Sequence, residues 1–346
     1  MQKTEGTSLK KKLLLLLFTS LICFLIVEAA VRLVWTRAGY GYPDGLYLPD
    51  DTRLYKYAPL FNGTFEGSMY GNVTITTNSA GLRDHEHAYG KPNGTIRILG
   101  LGDSVTLGSG VYQEQAYLSL LETKMKANGI NAEIIKAGVD GYQLDQEYDY
   151  YSKEGYKYDP DIVMIGVVLN DVDESNPEIK DTLFGNHTNF NKLVTDNFKS
   201  IDFFYHVIGD MLRGSNYNDY YFNVVYGHWS NETKWNAYQA ALLRMNGNIT
   251  AGNKKLVLVI FPYTQQFKAS LNAGRLPQEK IISMSLQNGI TAVDLLPYLD
   301  TPDYRKYYLA SDNVHLSKEG HALVADAIYD GLTEKGIAMP PSNTFK

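Results

Sequence analysis

The chain reads as an α/β protein: a three-layer α/β/α sandwich around a mostly parallel sheet, preceded by an N-terminal transmembrane helix. Three observations predict this. From Thr95 onward, short apolar runs alternate with amphipathic stretches of helical period, and strand–helix–strand repetition gives parallel strands covered on both faces. The stretch "DIVMIGVVL", 161–169, is apolar throughout, as a strand buried on both sides must be. Near the start, "LLLLLFTSLICFLIVEAAVRLVW", Leu13 to Trp35, supplies the roughly 20 mostly apolar residues that a bilayer crossing needs.

The elements follow in order. Lys3, Lys10, Lys11 and Lys12 precede the apolar run and are expected to hold residues 1–12 in the cytoplasm, leaving the rest outside. A cleaved signal peptide is the rival, but the run is long for one and "VEAAVR" is a poor cleavage site. Glu28 and Arg32 lie at i,i+4 spacing and are placed to pair. Residues 13–35 are thus read as the anchor. Residues 36–94 read as a stalk, Gly39 to Pro59, followed by a small β-rich segment in which Val73 and Ile75 alternate between glycines. The main domain is expected over 95–338. Its strands are Thr95–Leu101, Asn131–Ala137, 161–169, 254–263 and 290–295. Its helices are Tyr117–Asn128, Gln143–Tyr156, Gln278–Gln287 and Lys318 to about Lys335. A polar, aromatic insertion at about 172–235 breaks the rhythm, and connections of that length tend to be functional.

Composition narrows the function. With 44% hydrophobic and 20% charged residues in 346, the chain can build a core. Its single cysteine, Cys23, excludes a disulfide framework or a cysteine-built metal site. The net charge of −6 includes +3 from residues 1–12, and Glu28 cancels Arg32, so residues 33–346 carry −9. An acidic domain is a poor partner for nucleic acid. Asn62, Asn72, Asn93, Asn186, Asn231 and Asn248 begin Asn-x-Thr sequons, compatible with an exported glycoprotein.

The chemistry is concentrated in "ILGLGDSVTLGSGV", 98–111. A phosphate-binding P-loop would need a lysine, and none lies between Arg97 and Lys124; a dinucleotide fingerprint would need glycine where Val105 stands. A nucleophile fits better. Ser104 follows a strand at its carboxyl end, where open α/β sheets place their ligands. A serine needs a base, and the base needs an orienting group. Histidines occur at 85, 87, 187, 206, 228, 315 and 321; "SDNVHLS" places Asp312 three residues before His315, within reach of its Nδ1. The order Ser, Asp, His is also that of α/β-hydrolases, but their Gly-x-Ser-x-Gly elbow has glycine where this chain has Thr106. In isolation Ser104 and Asp312 also suit helix caps, and Gly141 an ordinary turn. His321 reads as a helix-surface residue, and His85 and His87 as isolated from any ligand set. The tyrosines of 148–158 and 217–226 suit packing, or stacking on carbohydrate.

Taken together, these blocks resemble the SGNH hydrolases, the GDSL family of esterases and lipases. Gly102-Asp103-Ser104 matches the first block, "KAGVDGYQ" (136–143) the second with Gly141, "VVLNDV" (167–172) the third with Asn170, and "SDNVHLS" the fifth with Asp312 and His315. "NSAGLRD", 78–84, and the N-terminal anchor recur in exported members. Val168 departs from the pattern, standing where the third block usually has glycine. The resemblance implies a flavodoxin-like sandwich and acyl transfer. Ser104 would be the nucleophile, His315 the base and Asp312 its partner. The N–H groups of Ser104 and Gly141 and the Asn170 amide would form the oxyanion hole. No metal or organic cofactor is implied. The expected activity is hydrolysis of short acyl esters, acetyl above all, on carbohydrate or envelope material. An O-acyltransferase with the same triad and a non-catalytic carbohydrate-binding protein are the alternatives.

Overall fold

The computed structural model describes residues 9–34, 43–65, 71–172, 197–201, 203–204, 217–268, 274–310 and 312–337. His187, His206, Asn186 and much of the expected insertion lie outside them. The chain divides into two compact units, Met1–Ala38 with Gly185–Tyr217, and Gly39–Phe184 with Asn218–Lys346.

In the first unit, helix α1 spans Leu9–Val34. Its segment Leu9–Leu33 has a mean hydropathy of 2.6 and is long and apolar enough to cross a membrane, a test that a signal sequence also passes. Arg32 Nε donates to Glu28 Oε1 at 2.6 Å, the pair expected from their spacing. Glu28 also accepts the backbone N–H groups of Lys199 and Ser200, each at 2.9 Å, and Phe24 meets Phe198 edge-on. Part of the expected insertion therefore packs on the apolar helix.

The second unit is built on a five-stranded parallel sheet: β5 (Ile96–Gly102), β6 (Ala132–Gly138), β7 (Ile162–Val167), β8 (Lys255–Ile260) and β9 (Thr291–Asp294), in the order β6-β5-β7-β8-β9. Side chains alternate between the two faces, so each strand feeds two cores. Ile98, Met164, Val257 and Val259 face α3 (Tyr117–Ala127) and α10 (Lys318–Glu334) through Leu118, Leu121, Val324 and Ile328. Leu99, Val163, Ile165 and Leu258 face the other layer: α4 (Leu144–Lys153), α6 (Glu232–Ala251) and α8 (Leu276–Gln287). Strand order reverses at β5, which makes the carboxyl ends of β5 and β7 the switch point where such sheets bind ligands.

Two stretches differ from the sequence expectation. Residues 43–59 are not a stalk. Strands β1 (Tyr47–Asp50) and β2 (Leu54–Tyr57) form an antiparallel hairpin whose buried Tyr55 and Tyr57 pack with Leu107, Val139 and Tyr142; tyrosine-rich composition reads as exposed until a partner surface is known. The expected hairpin around Val73 and Ile75 is β3 (Asn62–Phe65) with β4 (Val73–Thr76). The end of the expected insertion is regular too: α5 spans Tyr217–Ser230 and α6 begins at Glu232, capped by the Asn231 side chain on the N–H groups of Thr233 and Lys234.

A row of glycines decides what can sit on the sheet. Gly102 pairs with Gly138 on one side and Gly166 on the other. A Cβ at Gly102 or Gly166 would overlap the Thr106 hydroxyl, and one at Gly138 would lie 2.5 Å from Leu107 N. The short helix α2 (Ser104–Leu107) thus rests directly on backbone, with Thr106 Oγ1 filling the gap and meeting the Tyr117 hydroxyl at 3.1 Å. Gly166→Ala should lower unfolding stability by about 1–3 kcal/mol through overpacking. Because Thr106 Oγ1 is the main obstruction, the Gly166→Ala/Thr106→Ala double variant should be more stable than Gly166→Ala alone. Additive losses in urea denaturation would refute the constraint.

Candidate active site

Ser104 is the first residue of α2, directly past the end of β5. It is not the helix cap: Asp103 is, its Oδ1 accepting the Val105 N–H at 2.9 Å. That leaves the Ser104 hydroxyl free to donate to His315 Nε2 at 2.8 Å, across a sequence separation of 211 residues. His315 Nδ1 in turn meets Asp312 Oδ2 at 2.8 Å. Asp312 does not cap the final helix either; Ser317 does, accepting from the Gly320 N–H. Instead Asp312 Oδ1 accepts the N–H groups of Val314 and His315 at 2.7 and 2.9 Å, so one tight turn fixes carboxylate and imidazole together. The loop is held by the Tyr308–Leu316 bridge and by Thr264, whose hydroxyl donates to Asn313 Oδ1 at 2.5 Å.

Burial opposes charge on His315, but the hydrogen bond and charge of Asp312, with Asp103 and Asp140 behind, outweigh it and raise its pKa above the ordinary value. Burial likewise opposes ionisation of Asp312, and the imidazole's hydrogen bond and charge overcome it, holding the carboxyl below its usual range. Asp103 goes the other way: burial pushes it up to about 6 against the pull of the Val105 N–H and His315.

Gly141 and Asn170 flank this centre on neighbouring strand ends. Gly141 has φ +69°, the left-handed region that favours glycine, and a Cβ there would stand 3.0 Å from the Tyr55 hydroxyl. Its turn is held through Asp140, whose carboxylate accepts from the hydroxyls of Ser109 at 2.7 Å and Tyr57 at 2.7 Å, while its carbonyl accepts from Tyr55 at 2.6 Å. Asn170 follows β7 in a 3₁₀ turn, Leu169–Val172; its Oδ1 accepts from the Tyr263 hydroxyl at 3.1 Å, and its amide donates to the Asp103 carboxylate. Val168 is fully buried and adopts no positive φ, so valine in place of glycine has no backbone cost here.

The sequence signature of the GDSL-like lipase/acylhydrolase family matches residues 101–323. The chain belongs to that family. It is a serine-type ester hydrolase. No curated protein matches the chain. Among solved structures it is similar to a catalytic mutant of an acetylxylan esterase from Geobacillus stearothermophilus (14% identity, 68% of this chain and 94% of that one, TM-score 0.45). It is also similar to a lipase/acylhydrolase from Enterococcus faecalis (15% identity, 69% and 96%, TM-score 0.44).

Several residues of this GDSL-family hydrolase had no reading from sequence. Arg83, buried within "NSAGLRD", donates to the carbonyls of Leu107, Gly108 and Val111 at 3.1, 2.9 and 2.8 Å, closing the carboxyl end of α2. Behind Ser104, both Glu147 oxygens and Asp171 Oδ1 are buried without a hydrogen-bond partner among the described residues, and burial raises both carboxyls well above their usual range. The histidine expectations need correction. His87 is not isolated: its side chain is fully buried, with Nε2 2.8 Å from Asp84 and Nδ1 2.7 Å from Glu133. Asp84, His85 and His87 together form a group with metal-ligand spacing, although Lys136 Nζ already occupies Asp84 Oδ1 at 3.0 Å.

His321 is not on the helix surface but 1% exposed, stacked on Tyr117 and accepting its backbone N–H on Nδ1 at 3.2 Å. An i,i+3 and i,i+4 count would have placed it with Val324 and Ala325 on the buried face of α10. Burial pushes its pKa down to about 3, so the unfolded chain takes up the proton first. Stability should therefore fall as pH drops from about 6.5 towards 3, by on the order of 1.4 kcal/mol per pH unit from this group. Thermal unfolding of His321→Asn should show a shallower acid dependence than the wild type; an identical slope would refute the assignment.

Proposed function

We propose that the chain is a membrane-anchored serine esterase, with its hydrolase domain outside the cytoplasm, that removes short acyl groups, acetyl foremost, from carbohydrate or similar envelope material. The observation that carries this reading is the continuous relay from Ser104 through His315 to Asp312, both links at 2.8 Å. Ser104 Oγ attacks the ester carbonyl while His315 Nε2 accepts its proton, and Asp312 stabilises the imidazolium. The tetrahedral oxyanion is received by the N–H groups of Ser104 and Gly141 and by the Asn170 amide, at about 3 kcal/mol for each preorganised donor. Collapse expels the alcohol, which takes the proton from His315. Water then repeats the sequence on the acyl-enzyme. The basic N-terminal residues, the apolar helix and the −9 charge over 33–346 support the external placement.

Full-length protein in detergent should hydrolyse p-nitrophenyl acetate, and Ser104→Ala should reduce kcat by about 10³-fold or more. Turnover untouched by that change would sink the proposal. Since only neutral His315 accepts a proton and its pKa is raised, kcat/KM should climb with pH along a limb whose midpoint lies above 6.5. Asp312→Asn removes the cause of the rise, so the limb should move to lower pH while kcat falls by about 10⁴-fold.

A further inference from the structure

The flank of edge strand β6 carries a cavity that the ester-cleaving site does not use. It encloses about 210 Å³ and is walled by Tyr57, Tyr89, Tyr150, Tyr158, Arg53 and Glu154. Its inner wall includes Val139 and Tyr142, the residues that bracket Asp140 and Gly141. The cavity therefore backs onto the turn that presents Gly141, yet none of Ser104, Gly141, Asn170 or His315 lines it.

The lining is built for a small ring with many hydroxyls. The volume is below that of pockets for drug-sized ligands and suits one ring. Tyrosines offer apolar faces for stacking and polar tips for hydrogen bonding; Tyr89 and Tyr158 meet at 4.8 Å between centroids with planes 51° apart, and Arg53 lies over the Tyr150 ring. Tyr150 is 7% exposed and Tyr158 is 3% exposed. Neither hydroxyl makes a hydrogen bond among the described residues, and neither is a fully enclosed atom, so both can serve a ligand in the cavity. Tyr89 reaches Glu154 only at 3.5 Å. The charges at the rim are paired among themselves: Arg53 with Asp50 at 2.9 Å and Asp149 at 3.6 Å, Lys56 with Asp50 at 3.4 Å, and Glu154 with Lys157 at 3.0 Å, which favours a neutral ligand over an ion.

We propose that this cavity is a carbohydrate subsite that holds one pyranose unit of a neutral glycan, stacked on tyrosine and hydrogen-bonded by the hydroxyls of Tyr150 and Tyr158. It deepens the glycan-ester reading and rests on it for the link to catalysis, through the Val139 and Tyr142 wall that the cavity shares with the Gly141 turn.

The test is saturation-transfer NMR on full-length Ser104→Ala protein in detergent, with glucose, galactose, mannose, xylose and N-acetylglucosamine, and with choline as a cationic probe for a tyrosine cage. Binding is then read in a background without turnover, so failure of the subsite is separate from failure of the esterase proposal. At least one pyranose should show transfer, reduced at least fivefold by Tyr150→Phe and by Tyr89→Ala. Tyr150→Phe removes no internal hydrogen bond, so its melting temperature should match the parent. With Ser104 intact, both variants should keep wild-type turnover of p-nitrophenyl acetate. Absence of transfer from all five sugars, transfer unchanged in both variants, or transfer from choline alone would overturn the subsite.

Discussion

Three hydrogen atoms in place of three side chains hold this active centre together. Gly102, Gly138 and Gly166 lie side by side on three neighbouring strands, and a Cβ on any of them would meet α2. Without that bare strip the short helix would be lifted off the sheet, and Ser104 with it. A displacement of an ångström is enough to break a 2.8 Å link to His315. Thr106 completes the arrangement by using the space the glycines leave. This accounts for a threonine where an α/β-hydrolase elbow would have its second glycine: here the glycines that permit close approach come from neighbouring strands.

Around that contact the structure is organised as supports. Arg83 ties down the carbonyl end of α2, and Asp140 is gripped by Ser109 and two tyrosines from the β1–β2 hairpin. The hairpin is thus part of the machinery that shapes the Gly141 turn, not a spacer. The same tyrosine-rich surface supplies one wall of the neighbouring cavity. A single local packing solution thereby shapes both the Gly141 turn and the cavity beside it.

The electrostatics follow from burial. His315 sits among acids, yet only Asp312 is held low by direct hydrogen bonding, while Asp103, Glu147 and Asp171 are pushed up by desolvation. Desolvation disfavours the charged form of each of these acids, and only at Asp312 do the hydrogen bonds and charge of His315 outweigh it.

Much of this protein was legible in its sequence because the signals are local. Apolar runs marked the five strands, since a strand covered on both faces tolerates little else. Short blocks singled out Ser104, Asp312 and His315, which the fold joins in one hydrogen-bonded chain, and Gly141 and Asn170, which follow the two strands beside β5. The apolar length of α1 was equally plain. What depended on tertiary structure was everything set by residues distant in sequence. The role of Gly138 and Gly166 exists only in register with Gly102. Tyr55 and Tyr57 read as stalk until the Asp140 turn is brought against them. His321 read as surface until Tyr117 covered it. Arg83 found its function only when three carbonyls of another segment converged on it. Composition and period report what a residue prefers, and only the folded chain determines which neighbour meets that preference.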